Sequence, residues 1–334
     1  MELRLHGDAY ARDGLLDFAV NIRHGRPPAL QAALIGALDD ESYPDDREAR
    51  AAIATRHDVT IDRVLTLNGA CEAFWLLAQT LRPRRALCIH PTFGEGELAL
   101  RATRAHVERV VLTPPSWHLD PDQVANADDF VVVTNPNNPT GHLEQAGTLA
   151  QLARPGRVLL VDESFIDFAR DRESLAQRLD LPGLVVLRSC TKLWSLAGIR
   201  AGYLLAEPTL IATLARQRQP WPVNALACAA LCFAARGRDL ADQLVAALEH
   251  DRLELAERLG QIAGLRVFPS VTNFLLVEAA GHCGVPDKLR ARGIAVRPAV
   301  NFPGLGESFF RVAVRGAADN RRFARALRAV MADA

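Results

Sequence analysis

The stretch Ser189–Tyr203, which reads SCTKLWSLAGIRAGY, decides the fold. It follows the apolar run Leu184–Leu187, so Lys192 comes shortly after a predicted buried strand. Two hydroxyl side chains precede this lysine, and Arg200 follows it. A buried amine can form a Schiff base with an aldehyde, and hydroxyls together with a guanidinium can bind a phosphate. Taken alone, the stretch also suits a helix cap with a lysine that reaches solvent.

An upstream turn favours the chemical interpretation. Asn135–Gly141 reads NPNNPTG and follows the strand-like run Phe130–Val133. Its prolines and glycine fix a tight, non-helical backbone, although such a composition also occurs in plain turns. Ligands bind at strand ends of this kind in open α/β sheets, and the amide of Asn138 can donate to a phenolate oxygen there.

A carboxylate ends a second upstream run, Val158–Phe165, which reads VLLVDESF. An aspartate at the end of a buried strand, here Asp162, caps a loop or pairs with a buried cation. A pyridinium nitrogen is such a cation, and pyridoxal 5'-phosphate (PLP) combines that ring with an aldehyde and a phosphate. The sequence therefore predicts a PLP site from four residues at successive strand ends: Asn138, Asp162, Lys192 and Arg200.

These motifs resemble the fold-type I PLP enzymes of the aminotransferase class I/II group. Within that group the chain is most similar to histidinol-phosphate aminotransferase and to the L-threonine-O-3-phosphate decarboxylase of cobalamin biosynthesis. The resemblance runs from Asp17 to the C-terminus. It implies an α/β fold with a three-layer, mostly parallel seven-stranded sheet, a smaller α+β domain, and a homodimer with shared active sites.

The strand and helix patterns agree with that architecture. Short apolar strands alternate with helical stretches up to residue 205, which indicates a mostly parallel sheet. No Gly-x-Gly-x-x-Gly fingerprint follows an early strand, which disfavours a dinucleotide fold. We expect an N-terminal arm over residues 1–28, a large PLP-binding domain over 29–222 and a small domain over 223–334.

Composition sets the broad class. The 334 residues include 39 basic and 39 acidic side chains, and this balance gives no footprint for nucleic acid. No window is apolar enough for a membrane span, and the N-terminus lacks a signal-peptide core, so we expect a cytoplasmic protein. The six cysteines are scattered and the nine histidines show no ligand pairing. We therefore predict neither a metal nor a structural disulfide.

The resemblance assigns roles to the cofactor residues. Lys192 carries the Schiff base and then acts as acid and base, while Asp162 pairs with the ring nitrogen. An aromatic residue at Phe93 covers the ring face, although a core aromatic is the alternative. Tyr43 reaches the cofactor phosphate of the neighbouring subunit. The remaining phosphate contacts come from Ala70, Cys71, Ser189, Thr191 and Arg200.

Substrate binding is assigned to the C-terminal arginines. Arg311 matches the family arginine that holds the substrate carboxylate. Arg315 lies four residues on and shares its strand face, so we expect both to point into one anionic pocket. Two arginines in one pocket suit a substrate with a carboxylate and a phosphate, whereas the alternative is a salt-bridged edge strand. The resemblance adds Asn21 and Asn301 to the substrate site.

The reaction is the least determined feature. Aminotransferases commonly have a tyrosine where this chain has Phe165, and loss of that hydroxyl raises the pKa of the Schiff base and disfavours transamination. The region around Phe165 resembles the decarboxylase branch, but Ala299 replaces a cysteine usual there. We therefore expect decarboxylation of a small phosphorylated amino acid, L-threonine-O-3-phosphate, with transamination of histidinol phosphate as the alternative. A PLP-binding regulator or an inactive relic fits the sequence less well.

Overall fold

The computed structural model of the chain describes residue 3 and residues 6–11, 14–38, 41–124 and 128–333. Its strands are β1 Leu16–Asp17, β2 Val64–Asn68, β3 Arg85–His90, β4 His106–Val111, β5 Phe130–Thr134, β6 Val158–Asp162, β7 Leu184–Ser189, β8 Ala201–Leu205, β9 Leu265–Val267, β10 Phe274–Ala279, β11 Ile294–Ala295, β12 Arg297–Pro298 and β13 Phe309–Ala313. Its α-helices are α1 Pro28–Gly36, α2 Arg47–His57, α3 Cys71–Leu81, α4 Glu95–Ala102, α5 Ala146–Ala150, α6 Pro208–Arg216, α7 Ala225–Arg236, α8 Arg238–Gly260, α9 Val285–Ala291 and α10 Ala317–Ala332.

A seven-stranded sheet forms the centre of the larger part of the molecule. Its strand order is β2-β8-β7-β6-β5-β3-β4, and only β8 runs antiparallel to its neighbours. The predicted α/β class with a mostly parallel seven-stranded sheet is therefore confirmed. Because the other strands are parallel, their carboxyl ends meet at one edge, where ligands bind in sheets of this kind.

The central strands are apolar on both faces because both faces are covered. Val161 and Val186 pack into one hydrophobic cluster, while Leu160 and Val185 pack into a second cluster on the other side. Alternate residues of a strand point to opposite faces, so each strand contributes to both clusters. Continuous apolar runs such as VLLV are the sequence signature of this burial.

A four-stranded antiparallel sheet of order β12-β13-β10-β9 forms the smaller part. Its helices include α8 and α10, which pack against each other. The predicted division at residues 222 and 223 stays a prediction, since α7 packs against α1 and α2 beside the large sheet. Across the described ranges, no helix is long and apolar enough to cross a membrane.

The segment that follows β1 links the small sheet to the loop that carries Lys192. Phe18 donates its backbone N–H to Ala295 and accepts one from Ala313. Five residues later, the N–H of Arg23 donates to the carbonyl of Lys192 at 3.0 Å. The predicted arm over residues 1–28 thus contacts both parts of the molecule. Residues 1, 2, 4, 5, 12 and 13 of that arm lie outside the described residues.

Two glycines in left-handed conformations allow a test of backbone crowding. A Cβ on Gly183 (φ +68°) would lie 1.8 Å from the carbonyl oxygen of Arg157, whereas one on Gly156 (φ +81°) would meet nothing within 4 Å. We expect Gly156→Ala to lower the free energy of unfolding by roughly 1–2 kcal/mol through conformational strain alone. Gly183→Ala should lose a further 1–3 kcal/mol or so, as overpacking does. Urea unfolding of both variants tests this, and equal losses would contradict it.

Candidate active site

A cavity of about 560 Å³ opens at the carboxyl edge of the parallel strands. It brings together residues from the ends of β5, β6 and β7, the start of α3, the segment after β1 and the strand β13. The predicted site residues that line it are Asn21, Ala70, Cys71, Phe93, Asn138, Asp162, Ser189, Thr191, Lys192, Arg200 and Arg311. Residues that are far apart in sequence therefore share one concave site, as expected for a small-molecule pocket.

The side chain of Lys192 lines this cavity and is half-buried. Its Nζ lies 3.4 Å from Oδ1 of Asn21. Burial, and then the positive charges of Arg311 and Arg200, lower the pKa of Lys192 to about 8, against the opposing effect of Asp162. A lysine with such a pKa is partly neutral near physiological pH, which is the form that attacks an aldehyde.

The carboxylate of Asp162 is held at the end of β6 by the residue two positions on. Oδ1 accepts the backbone N–H of Ser164 at 3.0 Å and its hydroxyl at 2.5 Å. Burial raises the pKa of Asp162, and the nearby positive charge of Lys192 opposes this shift. Because burial is unfavourable for a lone anion, a cationic group placed beside Asp162 would stabilise its ionised form.

A cradle for an anion lies between α3 and Arg200. The helix begins at Cys71, so its first backbone N–H groups and its positive dipole end face the cavity beside Ala70. Arg200 lies directly over Gly69, where a Cβ would come within 2.3 Å of the guanidinium. Gly69 also has φ +76°, so this close approach requires glycine. The hydroxyls of Ser189 and Thr191 complete the lining on this side.

The small sheet contributes Arg311 to the opposite wall. Its Nη1 donates to Oδ1 of Asn138 at 2.5 Å, and its Nη2 donates to the carbonyl of Ala19 at 2.9 Å. Burial, followed by the charges of Arg297 and Arg315, lowers the pKa of Arg311. The two atoms that accept from Arg311 are neutral oxygens rather than carboxylates, so an anion from outside would stabilise the charge of Arg311.

Arg315 was expected to point into the cavity, but it does not line it. The strand β13 ends at Ala313, so the assumption that positions 311 and 315 share a strand face is wrong. The Arg315 guanidinium instead donates to the carbonyls of Asp17, Val20 and Ile22 at 2.5–2.9 Å. It therefore fixes the segment after β1, which in turn holds Asn21 beside Lys192.

Two other predicted residues also lie outside the lining. Asn301 is buried and accepts a hydrogen bond from Arg297 at 2.8 Å, so it orients a guanidinium rather than facing the cavity itself. Tyr43 is 75% exposed and stacks on Trp221 with their ring centroids 4.1 Å apart. It does not line the cavity of its own chain, and its contact with the site of a neighbouring subunit stays a prediction.

Sequence reasoning missed Arg297 and the position of His6. Arg297 lines the cavity and lies directly opposite Arg311 in the β12–β13 register. Its place beside Arg311 depends on the pairing of two strands, which the local sequence does not show. His6 also lines the cavity and contacts Glu95 at 3.1 Å. Arg297, rather than Arg315, thus supplies the second arginine beside Arg311.

Comparisons with known proteins agree with this arrangement. The family model for aminotransferase class I and II matches residues 27–330. A histidinol-phosphate aminotransferase of Mycobacterium tuberculosis is 43% identical over 93% of this chain and 87% of its own length. A threonine-phosphate decarboxylase of Salmonella typhimurium is 34% identical over 96% and 92% of the two chains. The crystal structure of a histidinol-phosphate aminotransferase from Clostridium acetobutylicum superposes with a TM-score of 0.89 at 26% identity, covering 96% and 100%.

The fold and the site define a PLP-dependent enzyme. The chain belongs to the aminotransferase class I and II family. The residues present fit the cofactor, since a lysine amine, a buried carboxylate and an anion cradle line one cavity. One polar atom supports the fit further: Nδ2 of Asn21 is buried without a partner among the described residues. Such an orphaned donor is costly unless a bound group accepts from it.

The lowered pKa of Lys192 predicts how fast the apoprotein takes up PLP at different pH values. The neutral amine is the reactive form, so the uptake rate should rise with pH and level off above about 8. An ordinary lysine, with a pKa of about 10.4, would show a rise that continues for roughly two further units. Stopped-flow recording of the visible absorption band measures this rate.

The variant Asp162→Asn provides a control for that experiment. Asp162 raises the pKa of Lys192, so its loss should move the midpoint of the profile below 8. A parent profile that still rises at pH 10, or a midpoint unaffected by the substitution, would contradict the assigned environment of the amine.

Proposed function

We propose that this enzyme decarboxylates a small phosphorylated amino acid, most specifically L-threonine-O-3-phosphate. The products are CO₂ and (R)-1-aminopropan-2-ol phosphate, and a proton replaces the carboxylate on the substrate Cα. The observation that carries the proposal is the pair Arg297 and Arg311, which face one cavity from adjacent strands. A substrate with both a carboxylate and a phosphate presents two anionic groups to these two cations.

The cofactor residues keep the roles that the motifs suggest. In this proposal Lys192 binds the cofactor aldehyde, Asp162 faces the pyridine nitrogen, and Asn138 donates to the ring oxygen. Arg200, the two hydroxyl residues and the start of α3 hold the phosphate. When bound, PLP withdraws electrons from the substrate Cα and so stabilises the charge that develops there. Lys192 would then deliver to that carbon the proton that replaces the carboxylate.

The substrate residues orient the bond that breaks. Arg311 lies beside Asn138 and is placed to bind the group nearest the cofactor. Arg297 is supported by Asn301 and lies over the ring of Phe302, with its guanidinium carbon 5.3 Å from the ring centroid. If Arg297 and His6 hold the substrate phosphate, the binding of that phosphate determines where the substrate carboxylate lies relative to the cofactor. Decarboxylation requires such a placement, because the bond that breaks must align with the cofactor π system.

The residue at position 165 also favours this reaction. The ring of Phe165 packs edge-on against Phe274 and lies 5.8 Å from Nζ of Lys192. It lines the cavity but has no hydroxyl to donate to a cofactor oxygen. In this proposal Asn138 donates to the cofactor ring oxygen without a second donor from position 165. Aminotransferases that carry a tyrosine at that position have such a second donor.

Transamination of histidinol phosphate is the second candidate. It is favoured by the 43% identity to a protein named histidinol-phosphate aminotransferase, which exceeds the 34% identity to the threonine-phosphate decarboxylase. An amino-group acceptor such as 2-oxoglutarate also carries two carboxylates, which Arg297 and Arg311 suit equally well. The two candidates therefore differ in whether a keto acid is needed.

Incubation of the holoenzyme with L-threonine-O-3-phosphate separates the two reactions. We expect release of CO₂ and formation of (R)-1-aminopropan-2-ol phosphate without any added keto acid, measured by mass spectrometry and trapped CO₂. No such product, together with turnover of histidinol phosphate that depends on 2-oxoglutarate, would establish the aminotransferase instead.

The variant Arg297→Met serves as a control for substrate recognition. It should lower kcat/KM for threonine phosphate about ten- to a hundredfold, because hydrogen bonds to charged groups are worth about 1.5–3 kcal/mol. The value for unphosphorylated threonine should change much less. Equal losses for both substrates would place Arg297 away from the phosphate.

The proposal includes a homodimer with shared active sites. Tyr43 and Trp221 form a stacked pair that is largely exposed on the single chain, at 75% and 55%. A groove of about 600 Å³ lies beside Tyr43 and is lined partly by Cys228 and Phe233 of α7. Exposed aromatic surface beside an apolar groove is typical of an interface, and a second copy of the chain would cover it.

Substitution of Trp221 tests the dimer. Trp221→Arg should shift the mass measured by sedimentation equilibrium towards the monomer, because it buries a charge in the proposed interface. Leu253→Arg is a matched control, since Leu253 is 60% exposed and lies on α8. A Trp221→Arg protein that keeps the parent mass would contradict the location of the interface.

A further inference from the structure

A buried ion pair lies across the sheet from the cofactor residues. Asp162 and Ser189 end the neighbouring strands β6 and β7 and face the cavity. Their chain neighbours, Glu163 and Arg188, point to the opposite face, as the alternation of a strand requires. There, Nε of Arg188 lies 3.2 Å from Oε2 of Glu163, and both side chains are at most 3% exposed.

Each member of this pair has further partners that fix it. The Glu163 carboxylate accepts the N–H of Leu175 and the hydroxyl of Ser174, both at 2.7 Å. The Arg188 guanidinium donates to Asp171 at 2.6 Å and to Asp167 at 3.4 Å. The pair thus connects the ends of two strands to the segment that follows β6, in a cluster that neither lines nor enters the cavity.

The location of the pair is more informative than its stability. Buried ion pairs are weak evidence for stability, because desolvation offsets most of their attraction and apolar residues of similar size often do as well. Burial raises the pKa of Glu163 to about 7, with the charge of Arg188 opposing, which shows that desolvation here is large. Burial of this ion pair is unfavourable, and the pair lies directly behind Asp162 and Ser189. Its location therefore indicates a role in positioning these two residues.

We propose that Arg188 and Glu163 are positioning residues for the cofactor. By joining the ends of β6 and β7 from behind, they fix the separation between the Asp162 carboxylate and the Ser189 hydroxyl. These two groups face the ring nitrogen and the phosphate, at opposite ends of the cofactor in the proposed site. The inference goes beyond the proposed function and holds for either reaction, because both need the cofactor in the same place.

The test compares the affinity for PLP with the stability of the protein. Glu163→Gln removes the charge and keeps the shape, while Arg188→Lys keeps the charge and removes the planar fork. We expect each variant to raise the Kd for PLP roughly ten- to a hundredfold, the range seen when groups that orient direct ligands are lost. The visible circular dichroism of the bound cofactor should also weaken in both holoenzymes, because the ring is held less rigidly.

A matched control separates positioning from general destabilisation. Glu97 of α4 is also buried, and it accepts hydrogen bonds from Arg109 of the edge strand β4, with Nη2 at 2.6 Å, and from Arg101 on its own helix. It also contacts His90 at 2.9 Å, but it does not line the cavity. Glu97→Gln should lower the urea midpoint and leave the Kd for PLP unchanged. If Glu163→Gln and Arg188→Lys behave in the same way, the pair is only structural and the proposal is wrong.

A milder variant keeps the test decisive if those proteins do not fold. Ser174→Ala removes one hydrogen bond to Glu163 and leaves both charges in place. We expect a threefold or greater rise in the Kd for PLP, because the Glu163 carboxylate is held less firmly. The urea midpoint should be nearly unchanged. An unchanged Kd and an unchanged circular dichroism spectrum in this variant would overturn the proposal. Because the readouts involve no substrate, they are independent of which reaction the enzyme catalyses.

Discussion

The hydrogen bond between Arg311 and Asn138 joins the two sheets across the cavity, and the site depends on it. Arg311 comes from β13 of the small sheet, and Asn138 lies in the turn after β5 of the large sheet. Because the Asn138 oxygen accepts from Arg311, its NH₂ group remains the part that can donate to a ligand. One contact therefore closes the cavity and also orients an amide for cofactor binding.

The residues that line the cavity determine its charge. Lys192, Arg200, Arg297 and Arg311 are the lysine and arginines that line it, while its carboxylates are Asp8, Glu95 and Asp162. An excess of buried positive charge is unfavourable in an empty protein and favourable once anions bind. The cofactor phosphate and an anionic substrate are therefore the ligands that this electrostatic environment selects. Burial is the main cause of the lowered pKa of Lys192, and the positive charges of Arg311 and Arg200 add to it.

Much of this was predictable from the sequence, because local patterns mark strand ends. Asp162 and Lys192 each follow an apolar run, and parallel strands bring such ends to one edge. Arg297 was not found, since its place opposite Arg311 depends on the register of two short strands. Arg315 was misplaced because the sequence does not show that β13 ends two residues earlier. Contacts between segments that are distant in sequence depend on tertiary packing, which local hydrophobic periodicity does not reveal.

The short stretch between Phe18 and Arg23 has a mechanical consequence. One end is bonded into the small sheet, and the other is bonded to the peptide of Lys192 and, through its side chain, to the carbonyl of Leu193. Five residues span at most about 18 Å, which limits how far these two anchors can separate while both stay bonded. A displacement of the small sheet beyond that reach would have to break one anchor or carry the lysine-bearing loop with it.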